Sequence, residues 1–177
     1  MSGHERAPVR LSLGEPGHAD LDTAEELRSF GQALAVLLRA GDLLILSGPL
    51  GAGKTTLAQG IGAGLGVRGP ITSPTFVIAR EHPSLGAGPA LVHVDAYRLA
   101  SLAELDDMDL DTGMDAAVTL VEWGEGMAED LAESHLHIAL AVDPATERRT
   151  LRVRGTGDRW ATPAARAALD ALTAGEA

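Results

Sequence analysis

The chain has 177 residues, of which 45% are hydrophobic, a net charge of −11 and no cysteine. This length and composition are typical of one globular domain with a buried core. The acidic charge disfavours tight, unaided binding to a nucleic-acid backbone, which needs clustered basic residues. Without cysteine, disulfides and thiolate metal sites are excluded. No apolar run approaches the length of a membrane span and residues 1–8 lack a signal-peptide core, so we expect a cytoplasmic protein with no membrane partner.

The first elements follow from apolar spacing. Alternating apolar residues at 9–13 predict an opening strand. Thr23 and Glu26 have the spacing of a capping box, which predicts a helix that ends near Gly41. Residues 43–46 are then an unbroken apolar run, which is typical of a central parallel strand buried on both faces.

A phosphate-binding loop follows that strand. The residues from Gly48 to Thr55 match the pattern G-x-x-x-x-G-K-[ST], and Lys54 is the one lysine of a chain whose other thirteen basic residues are arginines. A compact ammonium suits such a loop better than a planar guanidinium. Leu57 and Ile61 continue at helical spacing, which disfavours a chance glycine-rich turn. We therefore expect Lys54 and the loop backbone to hold phosphates, and the Thr55 hydroxyl to bind Mg²⁺.

Two further apolar strands are predicted over 91–95 and 118–122, and each ends in a carboxylate, Asp95 or Glu122. Ligands of parallel α/β sheets bind at the carboxyl ends of the strands, so both acids should lie beside the loop. One can hold Mg²⁺ with Thr55 while the other orients water. The residues alone do not assign the two roles, and a polar strand terminus is the alternative for either acid.

The segments between these strands are less specific. Ser73 and Thr75 stand where a hydroxyl can contact the γ-phosphate, although a plain turn before a strand over 75–80 has the same pattern. Residues 104–115 carry six acids, which we interpret as a solvated helix face. The chain has no asparagine, so the Asn-Lys-x-Asp segment that selects guanine is absent and ATP is favoured over GTP.

The last part of the chain predicts a hairpin and a tail. Residues 136–142 and 151–153 alternate like an antiparallel hairpin, on which His135 and His137 are expected at the surface. The predicted fold is therefore an α/β P-loop NTPase fold with a mainly parallel central sheet, flanking helices and an antiparallel C-terminal hairpin.

We expect the P-loop ATPase domain to cover residues 1–155. The alanine-rich segment 156–177 is predicted to be an appendage of weak fold content, with a possible helix over 163–172.

Four motifs in order resemble the TsaE (formerly YjeE) family of small bacterial P-loop ATPases, which are needed to make threonylcarbamoyladenosine at position 37 of tRNAs. They run from Gly48 to Thr56, Ser73 to Phe76, His93 to Leu99 and Leu120 to Trp123. The resemblance covers residues 9–154. Family members commonly have Asp where this chain has Pro49, and often Pro where it has Gly124.

The resemblance implies a site for ATP and Mg²⁺. Lys54, Asp95 and Glu122 would be catalytic, with Mg²⁺ shared by Thr55 and Glu122. Trp123 would lie near the nucleotide, although in this position it can also fill the core. The implied nucleotide-binding residues are Gly48, Leu50, Gly51, Ala52, Gly53, Lys54, Thr55, Thr56, Ser73, Thr75 and Trp123.

The resemblance also implies partners. The family works with TsaD and TsaB, which transfer threonylcarbamoyl to adenosine, and its slow, partner-stimulated ATPase cycle would reset that complex. Partners that carry the tRNA agree with the acidic charge of this chain. Two other classes stay open: a small-molecule kinase, for which Arg148, Arg149, Arg152 and Arg154 would form the lid, and a nucleotide-dependent scaffold without turnover.

Overall fold

The computed structural model describes residues 17–73, 79–99, 103–104 and 111–175. Its strands are β1 (Gly17–Leu21), β2 (Leu43–Ser47), β3 (Ala79–His82), β4 (Ala90–Asp95), β5 (Ala117–Glu122), β6 (His135–Val142) and β7 (Arg149–Thr156). Its helices are α1 (Ala24–Ala35), α2 (Lys54–Leu65), α3 (Asp111–Met114), α4 (Asp158–Ala161) and α5 (Pro163–Ala174), with a 3-10 turn at Glu129–Leu131. The predicted strand at 9–13, most of the strand predicted over 75–80, and half of the acidic segment 104–115 lie outside the described residues.

The seven strands form one sheet in the order β1-β7-β6-β2-β5-β4-β3. The four central strands, β6, β2, β5 and β4, are parallel to one another. The outer pairings β1–β7, β7–β6 and β3–β4 are antiparallel. The expectation of a mainly parallel sheet therefore holds only for the centre, since half of the pairings are antiparallel. The reason is loop length: a parallel pair needs a crossover of a dozen or more residues, and the β3–β4 and β6–β7 loops are shorter.

The strand before the phosphate loop is the centre of the fold. All five residues of β2 are buried, as the unbroken apolar run predicts. Leu44 and Leu46 face the main hydrophobic core on the side of α1, α2 and α5, and Leu43 and Ile45 face a smaller core on the opposite side. Because both faces are covered, β2 is a rigid base for the loop that follows it.

Helix α1 supports the helix that begins at the loop. Its predicted capping box is confirmed: Glu26 N donates to Thr23 Oγ1 over 3.1 Å, and Thr23 N donates to Glu26 Oε2 over 3.2 Å. Farther along, Gly31 lets the two helix backbones approach so closely that an added Cβ would lie 2.7 Å from Leu57 O and 2.8 Å from Ile61 N. Helix α2 is therefore held against α1 with no side chain between them at this point.

The C-terminal segment belongs to the main core, so the expectation of an appendage with weak fold content is wrong. Trp160, Leu169 and Leu172 are buried in the same cluster as the sheet and α2. Arg159 also binds the loop before β2, with Nε donating to Asp42 Oδ1 over 3.1 Å and Nη2 donating to Leu37 O over 2.8 Å. The alanine-rich composition concealed this packing, because three large apolar side chains are enough to attach the tail.

The alternation predicts that the two histidines of β6 lie at the surface, and this prediction is wrong. His135 is buried, and the half-buried His137 has its Nε2 at 2.8 Å from Ser47 Oγ. The central position of β6 in the sheet explains the difference. Among the described helices, none is both long and apolar enough to cross a membrane.

The buried tail generates a stability prediction. Replacing Trp160 by Ala should lower the free energy of unfolding by about 3–5 kcal/mol, because the lost aromatic surface leaves a cavity in the main core. Urea unfolding followed by circular dichroism measures the change. Leu85→Ala is the control, since Leu85 is 67% exposed and its loss should change stability by less than about 0.5 kcal/mol. If both substitutions had equally small effects, the C-terminal segment would contribute little to the core, and it would be an appendage as the sequence predicts.

Candidate nucleotide site

The loop between β2 and α2 turns by means of three glycines. Gly48, Gly51 and Gly53 have φ values of 143°, 79° and 106°, a region that residues with a side chain rarely adopt. Two of them are also crowded: an added Cβ would lie 2.6 Å from Leu140 O at Gly48 and 2.5 Å from Leu27 Cδ2 at Gly53. The glycine pattern is therefore required by the path of the backbone.

The first turn of α2 faces the space inside the loop. Its N-cap is Gly53, which has no side chain and makes no side-chain cap hydrogen bond. The first N–H groups of a helix have no partner within the helix, and the helix dipole places partial positive charge there. The beginning of this twelve-residue helix therefore suits an anion such as a phosphate group.

Lys54 is held inside the loop. Its side chain is buried, and Nζ donates to Gly48 O over 2.8 Å and to Pro49 O over 2.9 Å. Burial lowers the pKa of Lys54 below its usual value of 10.5, and the negative charges of Glu122 and Asp95 only partly oppose that shift. The ammonium is thus a positive charge that its surroundings do not fully compensate, and an anionic ligand would complete its environment.

The two strand-terminal carboxylates are neighbours, as predicted. β4 and β5 are parallel, and Asp95 is paired in register with Glu122. Glu122 is 3% exposed, and Thr55 Oγ1 on the first turn of α2 donates to its Oε1 over 3.5 Å. Asp95 Oδ1 accepts a hydrogen bond from Tyr97 N over 2.9 Å, which fixes that carboxyl group.

A hydroxyl and a buried carboxylate that converge in this way are suitable ligands for Mg²⁺. Adjacent ligands in an octahedral Mg²⁺ site with bonds of 2.0–2.1 Å lie about 2.9 Å apart, so the 3.5 Å between Thr55 Oγ1 and Glu122 Oε1 requires only a small adjustment. In the described part of the chain, no three histidine, cysteine or carboxylate side chains group together as ligands. A metal here would therefore complete its shell with phosphate and water oxygens, as Mg²⁺ commonly does.

His93 is a site residue that sequence reasoning did not single out. Its Nε2 lies 2.8 Å from Glu122 Oε1, and neither side chain is more than 4% exposed. The signal was present in the sequence: His93 stands two residues before Asp95 in a strand, so both side chains point to the same face.

Trp123 lies over the loop and belongs to neither hydrophobic core of the described residues. The centroid of its ring is 4.0 Å from Lys54 Nζ, and the Tyr97 ring packs against it with centroids 5.0 Å apart. Its φ of 61° is in the left-handed region, and its N–H donates to Leu46 O over 3.0 Å. A non-glycine residue held in this region costs about 1–2 kcal/mol, so the surrounding contacts impose the conformation.

Most of these groups line one cavity of about 450 Å³. Of the predicted residues, those that line it are Leu50, Gly51, Gly53, Lys54, Thr55, Thr56, Ser73, Asp95, Glu122 and Trp123. Gly48 and Ala52 lie behind this wall, where the carbonyl of Gly48 binds Lys54 and that of Ala52 accepts from Arg149 Nε over 3.2 Å. Thr75 lies outside the described residues. Tyr97, Arg98 and Arg149 also line the cavity. The sequence did not single out Tyr97 and Arg98 as site residues, and it indicated Arg149 only as a lid residue of the kinase alternative.

A central strand, a glycine-rich loop around a lysine and a helix that begins at that loop define an α/β protein with a P-loop. The family model described as "Threonylcarbamoyl adenosine biosynthesis protein TsaE" matches residues 21–151. The chain therefore belongs to the TsaE family, as the four sequence motifs predict.

Individual relatives agree with this assignment. A TsaE protein of Streptomyces coelicolor is 61% identical over 140 residues, which are 77% of this chain and 95% of the relative. A TsaE protein of Mycobacterium tuberculosis is 51% identical over 142 residues, covering 76% of this chain and 84% of the relative. The crystal structure of YdiB from Bacillus subtilis superimposes with a TM-score of 0.66 at 28% identity and covers 90% of this chain and 95% of that one.

The buried lysine generates a prediction about stability. Because the pKa of Lys54 is lowered in the folded protein, the unfolded chain binds more protons between that pKa and 10.5, and stability rises with pH in that window. The charged form is thus disfavoured by folding. We expect Lys54→Met without ligand to be at least as stable as the wild type near neutral pH, and to lack this rise at alkaline pH.

Thermal unfolding between neutral pH and pH 10 measures the effect. Arg166→Met removes a positive charge from an exposed position and is the control. A marked loss of stability in Lys54→Met at neutral pH would show that the contacts of the ammonium outweigh its burial.

Proposed function

We propose that this protein is a Mg²⁺-dependent ATPase that acts in the biosynthesis of threonylcarbamoyladenosine in tRNA. The biosynthetic process is the one stated in the names of the family and of its relatives. The observation that carries the ATPase assignment is the convergence of Lys54, Thr55 and Glu122 at the start of α2, on one wall of the cavity. These groups provide a cation, a hydroxyl and a carboxylate in the arrangement that phosphoryl transfer requires.

In this proposal the chain's residues bind and orient the reactants. The N–H groups of the loop and Lys54 hold the β- and γ-phosphates, and Lys54 exchanges its bonds to Gly48 O and Pro49 O for phosphate oxygens. Thr55 and Glu122 would hold Mg²⁺, and the bound ion would neutralise negative charge on the transferring phosphoryl group. Asp95 orients the attacking water, for which its fixed position at the end of β4 is suited.

The partners in this proposal are TsaD and TsaB. A chain of net charge −11 is poorly suited to bind tRNA alone, so partner proteins would bring the tRNA. ATP turnover would be slow in the isolated protein and faster in the complex, because partner contacts can complete the catalytic site. We place this activity in the cytoplasm.

A small-molecule kinase is the second candidate, and the position of Arg149 disfavours it. Kinase lids have to open and close over the phosphates. Arg149 belongs instead to β7, where it is paired in register with Val142 of β6 and Leu21 of β1, and its guanidinium is bonded to the loop carbonyl of Ala52. A strand fixed on both sides is not a mobile lid.

The two carboxylates should separate into different roles when each is replaced by its amide. Asp95→Asn should lower kcat by about 100-fold or more while nucleotide affinity stays close to that of the wild type, because a water-orienting base acts on the chemical step. Glu122→Gln should weaken nucleotide binding specifically in the presence of Mg²⁺. Titration of a fluorescent ATP analogue with and without Mg²⁺ measures the affinities, and the steady-state release of phosphate measures kcat. The reverse pattern would exchange the roles, and unchanged behaviour of both variants would remove them from the site.

A reconstitution tests the function as a whole. We expect multiple-turnover formation of the modified nucleoside by TsaD and TsaB, with tRNA, ATP and threonylcarbamoyl-adenylate, to require this chain. Lys54→Ala and Lys54→Arg should both fail to support it, because the arginine fork does not fit where the ammonium binds two loop carbonyls. An unchanged yield without the chain would contradict the proposal and favour a search for a kinase substrate.

A further inference from the structure

His93 is a buried titratable side chain whose polar contact within the described residues is with Glu122. It lies on β4 with no exposed surface, next to Leu120 in the register of β4 and β5. Its Nε2 is 2.8 Å from Glu122 Oε1. Its other ring nitrogen, Nδ1, is buried and has no hydrogen-bond partner in the described part of the chain. One ring nitrogen thus contacts the carboxylate, and the other has no hydrogen bond within the described residues.

The chemistry of the pair fixes which atom donates. A Glu122 carboxylate that binds Mg²⁺ has to be ionised and can only accept hydrogen bonds, so in that state Nε2 carries the hydrogen and donates it to Glu122 Oε1. The unsatisfied Nδ1 costs about 1–3 kcal/mol in such a position, and an apolar side chain of similar size would avoid that cost. Packing alone therefore does not account for a histidine here.

The position of Glu122 also needs an explanation. The positive charge of Lys54 attracts this carboxylate, and the two charges influence each other through the cavity. Even so, no ion pair joins Lys54 to Glu122 among the described residues, and the Lys54 ammonium binds loop carbonyls instead. Glu122 Oε1 is held by His93 and lies within 3.5 Å of Thr55 Oγ1.

We propose that His93 is a positioning residue that anchors Glu122 through the Nε2–H···Oε1 hydrogen bond, so that the carboxylate serves the metal with Thr55 and does not close onto Lys54. The lysine then stays available for phosphate, and the glutamate for Mg²⁺. This inference rests on the proposed Mg²⁺-dependent nucleotide site. Outer partners of metal-binding carboxylates typically change metal affinity about 10- to 100-fold when they are removed.

Two substitutions separate the hydrogen bond from the packing of the ring. His93→Gln retains an N–H donor at a similar distance along the side chain, whereas His93→Leu fills the core but donates nothing. We expect His93→Leu to raise the Mg²⁺ concentration needed for tight binding of a fluorescent ATP analogue by about tenfold or more, with binding in EDTA unchanged. His93→Gln should remain within about threefold of the wild type. Thermal unfolding of both variants establishes that they are folded.

A second readout is independent of activity and of bound metal. In a crystal structure of ligand-free His93→Leu, we expect the Glu122 carboxylate to have moved to within 4 Å of Lys54 Nζ, while in His93→Gln it stays beside Thr55. Wild-type Mg²⁺ dependence in His93→Leu, or equal weakening in both variants, would overturn the proposal, since neither result follows from a lost donor. If the wild type itself binds nucleotide without any effect of Mg²⁺, the proposed function fails, and the position of Glu122 in the two crystal structures still decides the role of His93.

Discussion

The burial of one positive charge organises this protein. The Lys54 ammonium is surrounded by loop carbonyls, an aromatic ring and two nearby carboxylates, and burial still lowers its pKa. Such a charge is stable only if the surrounding dipoles are held in place. The rest of the fold does this: β2 is covered on both faces, α2 is pressed against α1, and the parallel strands β4 and β5 end at the same level beside the loop. The site is the place where these rigid elements meet.

The aromatic pair above the lysine belongs to the same arrangement. Trp123 follows Glu122 directly, and its left-handed backbone turns the indole back over the Lys54 ammonium. A chain that continued in extended form after β5 would carry this side chain away from the loop. The contact between the ring and Lys54 offsets part of this backbone strain, because the ring shields Lys54 from water on the side of the cavity where Tyr97 packs against it.

Much of the site could be predicted because its signals are local. The loop spacing, the apolar run of β2 and the acids at the ends of two strands each depend on a few consecutive residues, and they led to Lys54, Thr55, Asp95 and Glu122. Contacts between distant segments cannot be predicted from such local patterns: Arg149 reaches Ala52 from 97 residues away, and His93 reaches Glu122 from 29 residues away. The tail was underestimated for the same reason, since Trp160 and two leucines pack on a core that no local pattern reveals. The antiparallel outer strands follow from short loops, because a parallel pair needs a crossover of a dozen or more residues.

The contact at Gly31 has a mechanical consequence. Where two helices touch through their backbones, no flexible side chain is present to absorb a small displacement, and the interior transmits the shift directly. Helices α1 and α2 can therefore move only together at this point. A change of a few tenths of an ångström at the beginning of α2 would therefore displace α1 as well. Helix α1 is thus mechanically connected to α2, the helix that begins where the phosphate loop ends.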